Sequence, residues 1–466
     1  VNQKVLFKDV NLAVGDSFTF GDEVEDESTW PALLEGKTGQ RVVNAGVFGY
    51  GIDQAYLRLL SLAPKLKPKT VLFAFIPQDL HRAGLSQFSG LQKPYFKGTE
   101  KRKTAKDISH ELDSLGSISN AFTGSECTGY YAKGSNDHVE KFVDIISDIY
   151  KNSTLPEEEI TKEKGVIIEE INMYEDTPQS LAPKLLYTTL YGDQPAGWDI
   201  IGSKETVMSF SRKDFVKYRD QHYVPEATVV VIAGDVKSEK ALSLANKYFG
   251  DIKKSKKQGK KKVIENQTAS VLAYRKRASD QTHIALGFRS FDLHDKRNMA
   301  IHLLATILGK GMSSRLFVKM REEMGVCYYI LAGNDTHTDH GVFEINAGVD
   351  TKRLEEVVRE ILVECKKLTV ELVDKKELDK AKEYAVGTLG MSVESSDDAA
   401  MYFGGAEVLR GKILTPEEIE KKIRKVSAKD IQSVAKLIFR EEGLNLAVVG
   451  PGHDEVKLKK VLRLRD

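Results

Sequence analysis

One helix-then-strand unit occurs twice in this chain. Ser211-Arg-Lys-Asp214 opens an amphipathic stretch, after which the apolar run Thr228-Val-Val-Val-Ile-Ala233 closes at Gly234. Ser427-Ala-Lys-Asp430 opens a second one, after which the run Leu444–Val449 closes at Gly450. Each start places a Ser N-cap before an acid at the third helical position, close to a capping box. Taken alone, S-x-K-D is a common helix start. Here the spacing from Ser211 to Gly234 equals that from Ser427 to Gly450. The same helix, strand and closing glycine in one register implies two homologous lobes. Both terminal runs read as buried strands.

Two lobes need two cores, and 466 residues with 41% hydrophobic and 29% charged content supply them. Lys and Arg number 69 against 68 Asp and Glu, so the net charge of +1 exerts no global pull toward nucleic acid or an anionic membrane. No apolar run approaches the roughly 18 residues of a membrane-spanning helix. The odd set Cys127, Cys327 and Cys365, with no C-x-x-C, argues against a disulfide framework and for a cytoplasmic or other reducing compartment. The segment Lys253–Lys262 is mostly lysine, with no interleaved aromatics. It reads as a solvated interdomain linker rather than a nucleic-acid patch. The chain starts at Val1 with no charged-then-apolar leader, which suggests a fragment or a trimmed start.

Positions 1–80 have a different texture. Val10–Val14, Arg41–Asn44 and Thr70–Ile76 are short apolar runs ended by glycines or Pro77, with helical spacing over Gln54–Leu62. Such strands predict a parallel half-sheet. Gly15-Asp16-Ser17 after the first strand and Asn44-Ala-Gly-Val-Phe-Gly49 after the second resemble SGNH-type esterases. That resemblance makes Ser17 a nucleophile candidate and Gly49 an oxyanion-hole amide. The block lacks the family's D-x-x-H base and carries Gln78 where an Asn is expected. A serine without its base is a weak nucleophile, and Gly-Asp-Ser is also ordinary turn chemistry.

From about Thr104 longer amphipathic helices begin, at 104–114, 137–150, 157–174 and 211–222. Phe96-Lys-Gly-Thr99, Gly116-Ser-Ile-Ser-Asn120-Ala-Phe-Thr123, Glu126 with Tyr130-Tyr131, Glu163-Lys-Gly-Val-Ile-Ile-Glu-Glu170, Gly309-Lys-Gly-Met-Ser-Ser-Arg315 and Arg321-Glu-Glu-Met-Gly-Val-Cys-Tyr328 follow in order. Over residues 95–455 this series resembles the pitrilysin (insulinase) family of zinc peptidases. The resemblance implies an α+β fold of two homologous lobes with antiparallel or mixed sheets, closing around a peptide. It implies domains at 1–88 (the partial α/β parallel-sheet fragment), 95–250 and 264–466, joined by 251–263.

Glu163 and Glu170, seven apart on a helix, share nearly one face and could hold a cation, though a solvated acidic face has the same pattern. The resemblance makes Glu170 the third zinc ligand and Glu163 its acidic partner. It places Asn120 and Ala121 on an edge strand that pairs with substrate backbone, and sends Arg321 and Tyr328 to the substrate and its developing oxyanion. Without it, Asn120 is a turn residue, Arg321 a surface residue and Tyr328 a half-buried strand residue.

The departure lies upstream. The family carries H-x-x-E-H just before F-x-G-T, supplying two zinc ligands and the general base. Here the five positions are Ser89, Gly90, Leu91, Gln92 and Lys93, and none of the ten histidines opens an H-x-x-E-H. A catalytic zinc needs about three protein ligands, so none is expected on this chain. One block is missing while Glu170, Asn120, Arg321 and Tyr328 remain, which suggests a spliced or frameshifted joint between about residues 80 and 95. Three readings follow. The first is a peptidase-family chain with a damaged first lobe. The second is a non-catalytic peptide-binding subunit, as a homodimer or beside an H-x-x-E-H-bearing partner. The third is an SGNH esterase with an inert tail.

Overall fold

The computed structural model describes residues 11–14, 42–44, 70–73 and 105–464. The chain divides into two compact units, residues 1–92 and 93–466. In the first, β1 (Asn11–Val14), β2 (Val42–Asn44) and β3 (Thr70–Phe73) pair in parallel in the order β2-β1-β3. Ser17, Gly49, positions 89–93 and Phe96–Thr99 lie outside the described residues.

The second unit repeats one series of elements. Its first half runs α1 (Ala105–Ser114), β4 (Ile118–Thr123), β5 (Thr128–Lys133), α2 (Val139–Asn152), α3 (Glu157–Glu175), α4 (Pro178–Tyr191), α5 (Lys204–Ser209), α6 (Arg212–His222) and α7 (Ser238–Phe249). Its second half opens with β6 (Val271–Lys276), β7 (Thr282–Ser290) and α8 (Asn298–Gly309). Then come α9 (Arg315–Phe317), which continues as a π-helical turn over Val318–Glu323, β8 (Cys327–Thr336) and β9 (Gly341–Val349). The half closes with α10 (Leu354–Val370), α11 (Lys375–Met391), α12 (Ser396–Arg410), α13 (Pro416–Lys425), α14 (Ala428–Ile438), β10 (Asn445–Gly450) and α15 (Glu455–Val461). From β4 to α6 and from β8 to α14 the order is the same. No helix among the described residues is long and apolar enough to cross a membrane.

The second lobe is built on a mixed five-stranded sheet, β6-β10-β7-β9-β8. β10 runs parallel to β6 and antiparallel to β7, so both its edges are paired and all six of its residues are buried. One face packs on α8, α10 and α14 through Leu286, Phe343, Ile345 and Val448 against Ile301, Leu304, Val357, Ile361 and Ile431. α8 is apolar on nearly every side because it is enclosed. The other face is covered by α4, a helix of the first lobe, whose Leu181, Leu186, Leu190 and Tyr191 meet Ala285, Val342, Ala447 and Val449. Gly287 permits that approach, since a Cβ there would lie 2.7 Å from Leu186 Cδ2.

The first lobe departs from the predicted repeat. Its cap is as expected: Asp214 Oδ2 accepts the Ser211 N–H at 2.8 Å, as Asp430 Oδ2 accepts that of Ser427 at 2.8 Å. Residues 228–233, however, form no strand. Val229, Val230 and Val231 are 37%, 36% and 40% exposed rather than buried. A strand requires partners for its backbone groups, and among the described residues of this lobe only β4 and β5 form a ladder. The Lys-rich stretch also differs from a purely solvated linker, because Lys260 pairs with Glu126 and Asp339.

Candidate functional site

The candidate residues fall on four elements. Glu163 and Glu170 lie on α3, whose acidic first turn, Glu157–Glu159, suits a helix N-terminus. Both are half-buried, and both are engaged with neighbours. Asn120 and Ala121 lie in β4, opposite Tyr131 and Tyr130 of β5. The Asn120 Oδ1 accepts the Ala121 N–H at 2.9 Å, so this donor is held by the neighbouring side chain within the strand. Beneath β5 the Tyr130 hydroxyl meets that of Tyr223 at 2.9 Å, and the Tyr150 ring lies 4.7 Å from that of Tyr223.

Arg321 and Tyr328 are brought together by two backbone irregularities. Arg321 sits in the π-helical turn, and Tyr328 sits at a register shift between Cys327 and Tyr329 where β8 pairs with β9. Bulges and π turns re-aim side chains that regular elements would direct elsewhere. Tyr328 is 62% exposed. The Arg321 Nη1 donates to the carbonyls of Cys327 at 3.2 Å and Tyr328 at 3.1 Å, and its guanidinium lies 5.0 Å from the Tyr328 ring centroid. The result is an exposed cationic and phenolic pair on a rigid strand start, able to donate hydrogen bonds to a carbonyl or oxyanion.

The metal expectation can be tested on the donor set. Among the described residues no group of three or more His, Cys, Asp or Glu side chains converges to hold a metal ion. α8 of the second lobe spans Asn298–Gly309. Shifted back by the interval between Ser211 and Ser427, it corresponds to a stretch that includes positions 89–93, which read Ser-Gly-Leu-Gln-Lys. These side chains do not fit a zinc site with Glu170.

A second cluster was not foreseen as a site, although one member, Glu126, belongs to the motif series. Glu126, Lys260, Asp335, His337, Asp339 and His340 meet where the two lobes touch. Its one local signal is the density of His and Asp in Asp335-Thr-His-Thr-Asp-His340.

Two solved structures share this fold. A protease from Helicobacter pylori superimposes with a TM-score of 0.70 at 23% identity, covering 76% of this chain and 87% of the other. A peptidase M16 inactive domain from Pseudomonas fluorescens gives 0.70 at 20% identity, covering 79% and 90%. The class is thus a two-lobed α+β fold of the peptidase type. Residues 81–204 match the model of insulinase (peptidase family M16), and residues 209–384 match that of the peptidase M16 inactive domain. The match opens at residue 81, earlier than the Phe96 block on which the sequence resemblance began. A protein of Bacillus subtilis named as the uncharacterized zinc protease YmxG is 33% identical over 369 residues, 79% of this chain and 88% of that one. An uncharacterized zinc protease of Rickettsia felis is 35% identical over 375 residues, 80% and 89%. This chain belongs to the insulinase family, peptidase family M16.

Proposed function

We propose that this chain binds peptide or unfolded polypeptide between its lobes without cleaving it. One observation carries the reading. Arg321 and Tyr328 remain assembled on their π turn and bulge, while positions 89–93 offer no histidine and no glutamate. Binding rests on the first feature, with β4 adding backbone pairing once Asn120 releases the Ala121 N–H. The loss of cleavage rests on the second, since one ligand, Glu170, with Glu163 behind it, cannot replace a two-histidine, one-glutamate site. Zinc bound in such a site would polarise a water for attack on a peptide carbonyl. Among the described residues β4 pairs only with β5, which also supports a role beside an H-x-x-E-H-bearing partner chain. The three cysteines are free thiols, in keeping with a reducing compartment.

The test is a fluorescently labelled unfolded peptide titrated against the purified chain, with elemental analysis and mass-spectrometric detection of cleavage on the same sample. Saturable binding, intact peptide and no stoichiometric zinc are expected. One zinc per chain with chelator-sensitive cleavage would overturn the non-cleaving reading, and absence of binding would overturn the peptide-binding reading.

A further inference from the structure

We propose that the β8–β9 hairpin tip of the second lobe and Glu126 of the first form a proton-released clasp holding the two lobes together. This goes beyond the peptide-binding reading, and its readout is independent of any peptide.

Glu126 lies in the turn between β4 and β5, with its side chain 10% exposed. Its carboxylate accepts the Thr338 N–H at 2.9 and 3.1 Å, the Thr338 hydroxyl at 2.5 Å and the Lys260 ammonium at 2.5 Å. Lys260 also bonds Asp339. Three stretches distant in sequence, the β4–β5 turn, the lysine-rich linker and the hairpin tip, therefore meet on one carboxylate.

The groups facing this contact come from every element around it. The tip contributes His337, whose Nδ1 is 3.7 Å from Glu126 and whose Nε2 is 3.3 Å from Asp335. It also contributes His340, whose Nδ1 is 2.7 Å from Asp339. The two imidazoles stack at 4.3 Å. From α4, Tyr187 donates to Asp335 at 2.8 Å and Tyr191 donates to the Gly341 carbonyl at 3.1 Å. Arg289 of β7 lies 5.0 Å from the Tyr191 ring centroid. Glu344 of β9 keeps its Oε2 buried without a partner among the described residues.

Charge gives the clasp its sign. With the imidazoles neutral, the carboxylates of Glu126, Asp335 and Asp339 face the single ammonium of Lys260. With the carboxylates protonated, the Lys260 ammonium loses the anions that hold it, and the Thr338 N–H and hydroxyl lose a charged acceptor. Burial alone would raise the Glu126 pKa, but the hydrogen bonds from Lys260 and Thr338 outweigh it and hold it below the ordinary value. A carboxylate lowered in this way contributes its stabilisation above its unfolded pKa. That contribution is lost as pH falls through the folded value, which places release below the ordinary glutamate range.

Backbone amide exchange at Thr338 reads the clasp directly, with the amides of β10 as an internal reference for the intact core. In the full chain, Thr338 exchange relative to β10, corrected for its intrinsic pH dependence, should be constant from pH 7 to 5. It should rise roughly ten-fold or more below pH 4 while β10 stays protected. Glu126→Gln keeps an acceptor but not the charge, so its ratio should already be raised at pH 7 and should change much less than wild type on acidification. A wild-type ratio constant to pH 3.5, simultaneous loss at Thr338 and β10, or a Glu126→Gln variant that responds like wild type would each overturn the proposal. If Glu126→Gln fails to fold, Lys260→Met leaves the acid in place and should move the release to higher pH. An unmoved midpoint would overturn the clasp.

Discussion

β10 and residues 228–233 close the same repeat unit, with matching caps at Ser427 and Ser211 and matching glycines at 450 and 234. One is a fully buried central strand, and the other carries three partly exposed valines and no ladder. The difference lies in neighbours rather than propensity. β10 is held between β6 and β7, which lie at the start of its own lobe. Shifted back by the interval between Ser211 and Ser427, β6 and β7 fall at 55–60 and 66–74, of which the structure describes only β3, Thr70–Phe73. The helices repeat the contrast: α4 buries Leu181, Leu186 and Leu190 on the second lobe's sheet, whereas α12, at the same place in the repeat, buries no residue. A valine run is a strand only when adjacent backbones take up its N–H and C=O groups.

The contrast is broken most directly by paired truncations. Leu446→Ala in β10, fully buried, should cost about 2–5 kcal/mol, while Val230→Ala should change stability by less than about 0.5 kcal/mol. Denaturant unfolding of the two variants checks this. Equal losses would mean that 228–233 is packed like its twin.

Next in size is Glu344, on the α4 face of the second-lobe sheet. Burial, and then the charge of Asp335, push its carboxyl up to about 7 from 4.5. The folded state therefore favours the protonated form, and stability falls as pH rises from the unfolded value through about 7. Glu344→Gln, which mimics that form, should be more stable than wild type by about 3 kcal/mol at pH 8 and equal to it at pH 4. Thermal melts at the two pH values measure it. The clasp at Glu126 titrates with the opposite sign, so the two effects separate by pH.

A smaller effect is expected at the exposed pair. Arg321→Met should weaken peptide binding about ten-fold, equivalent to about 1.4 kcal/mol, with a change in unfolding free energy below about 1 kcal/mol. Fluorescence anisotropy and a urea melt on one preparation distinguish the two. Smallest are the caps. Ser211→Ala and Ser427→Ala should each cost about 1 kcal/mol of local helix stability. Amide exchange in α6 and α14 should show similar losses, because the Asp214 and Asp430 carboxylates are held alike by their serines.

The sequence by itself determined what depends on near neighbours along the chain. The helices predicted at 104–114, 137–150, 157–174 and 211–222, the three apolar strands before residue 80, the duplication, and the absence of H-x-x-E-H were all legible. Caps, helical periodicity and ligand spacing operate over only a few residues. Arg321 and Tyr328 were legible as a pair, but their meeting was not, since it requires a π turn and a bulge that the pattern of residues does not announce. Tertiary structure alone decided the fate of 228–233, the passage of α4 onto the other lobe's sheet, and the convergence of Glu126, Lys260 and Thr338 from three distant segments. Each of these depends on which backbones and charges lie alongside one another after folding, and no local window of residues contains both partners.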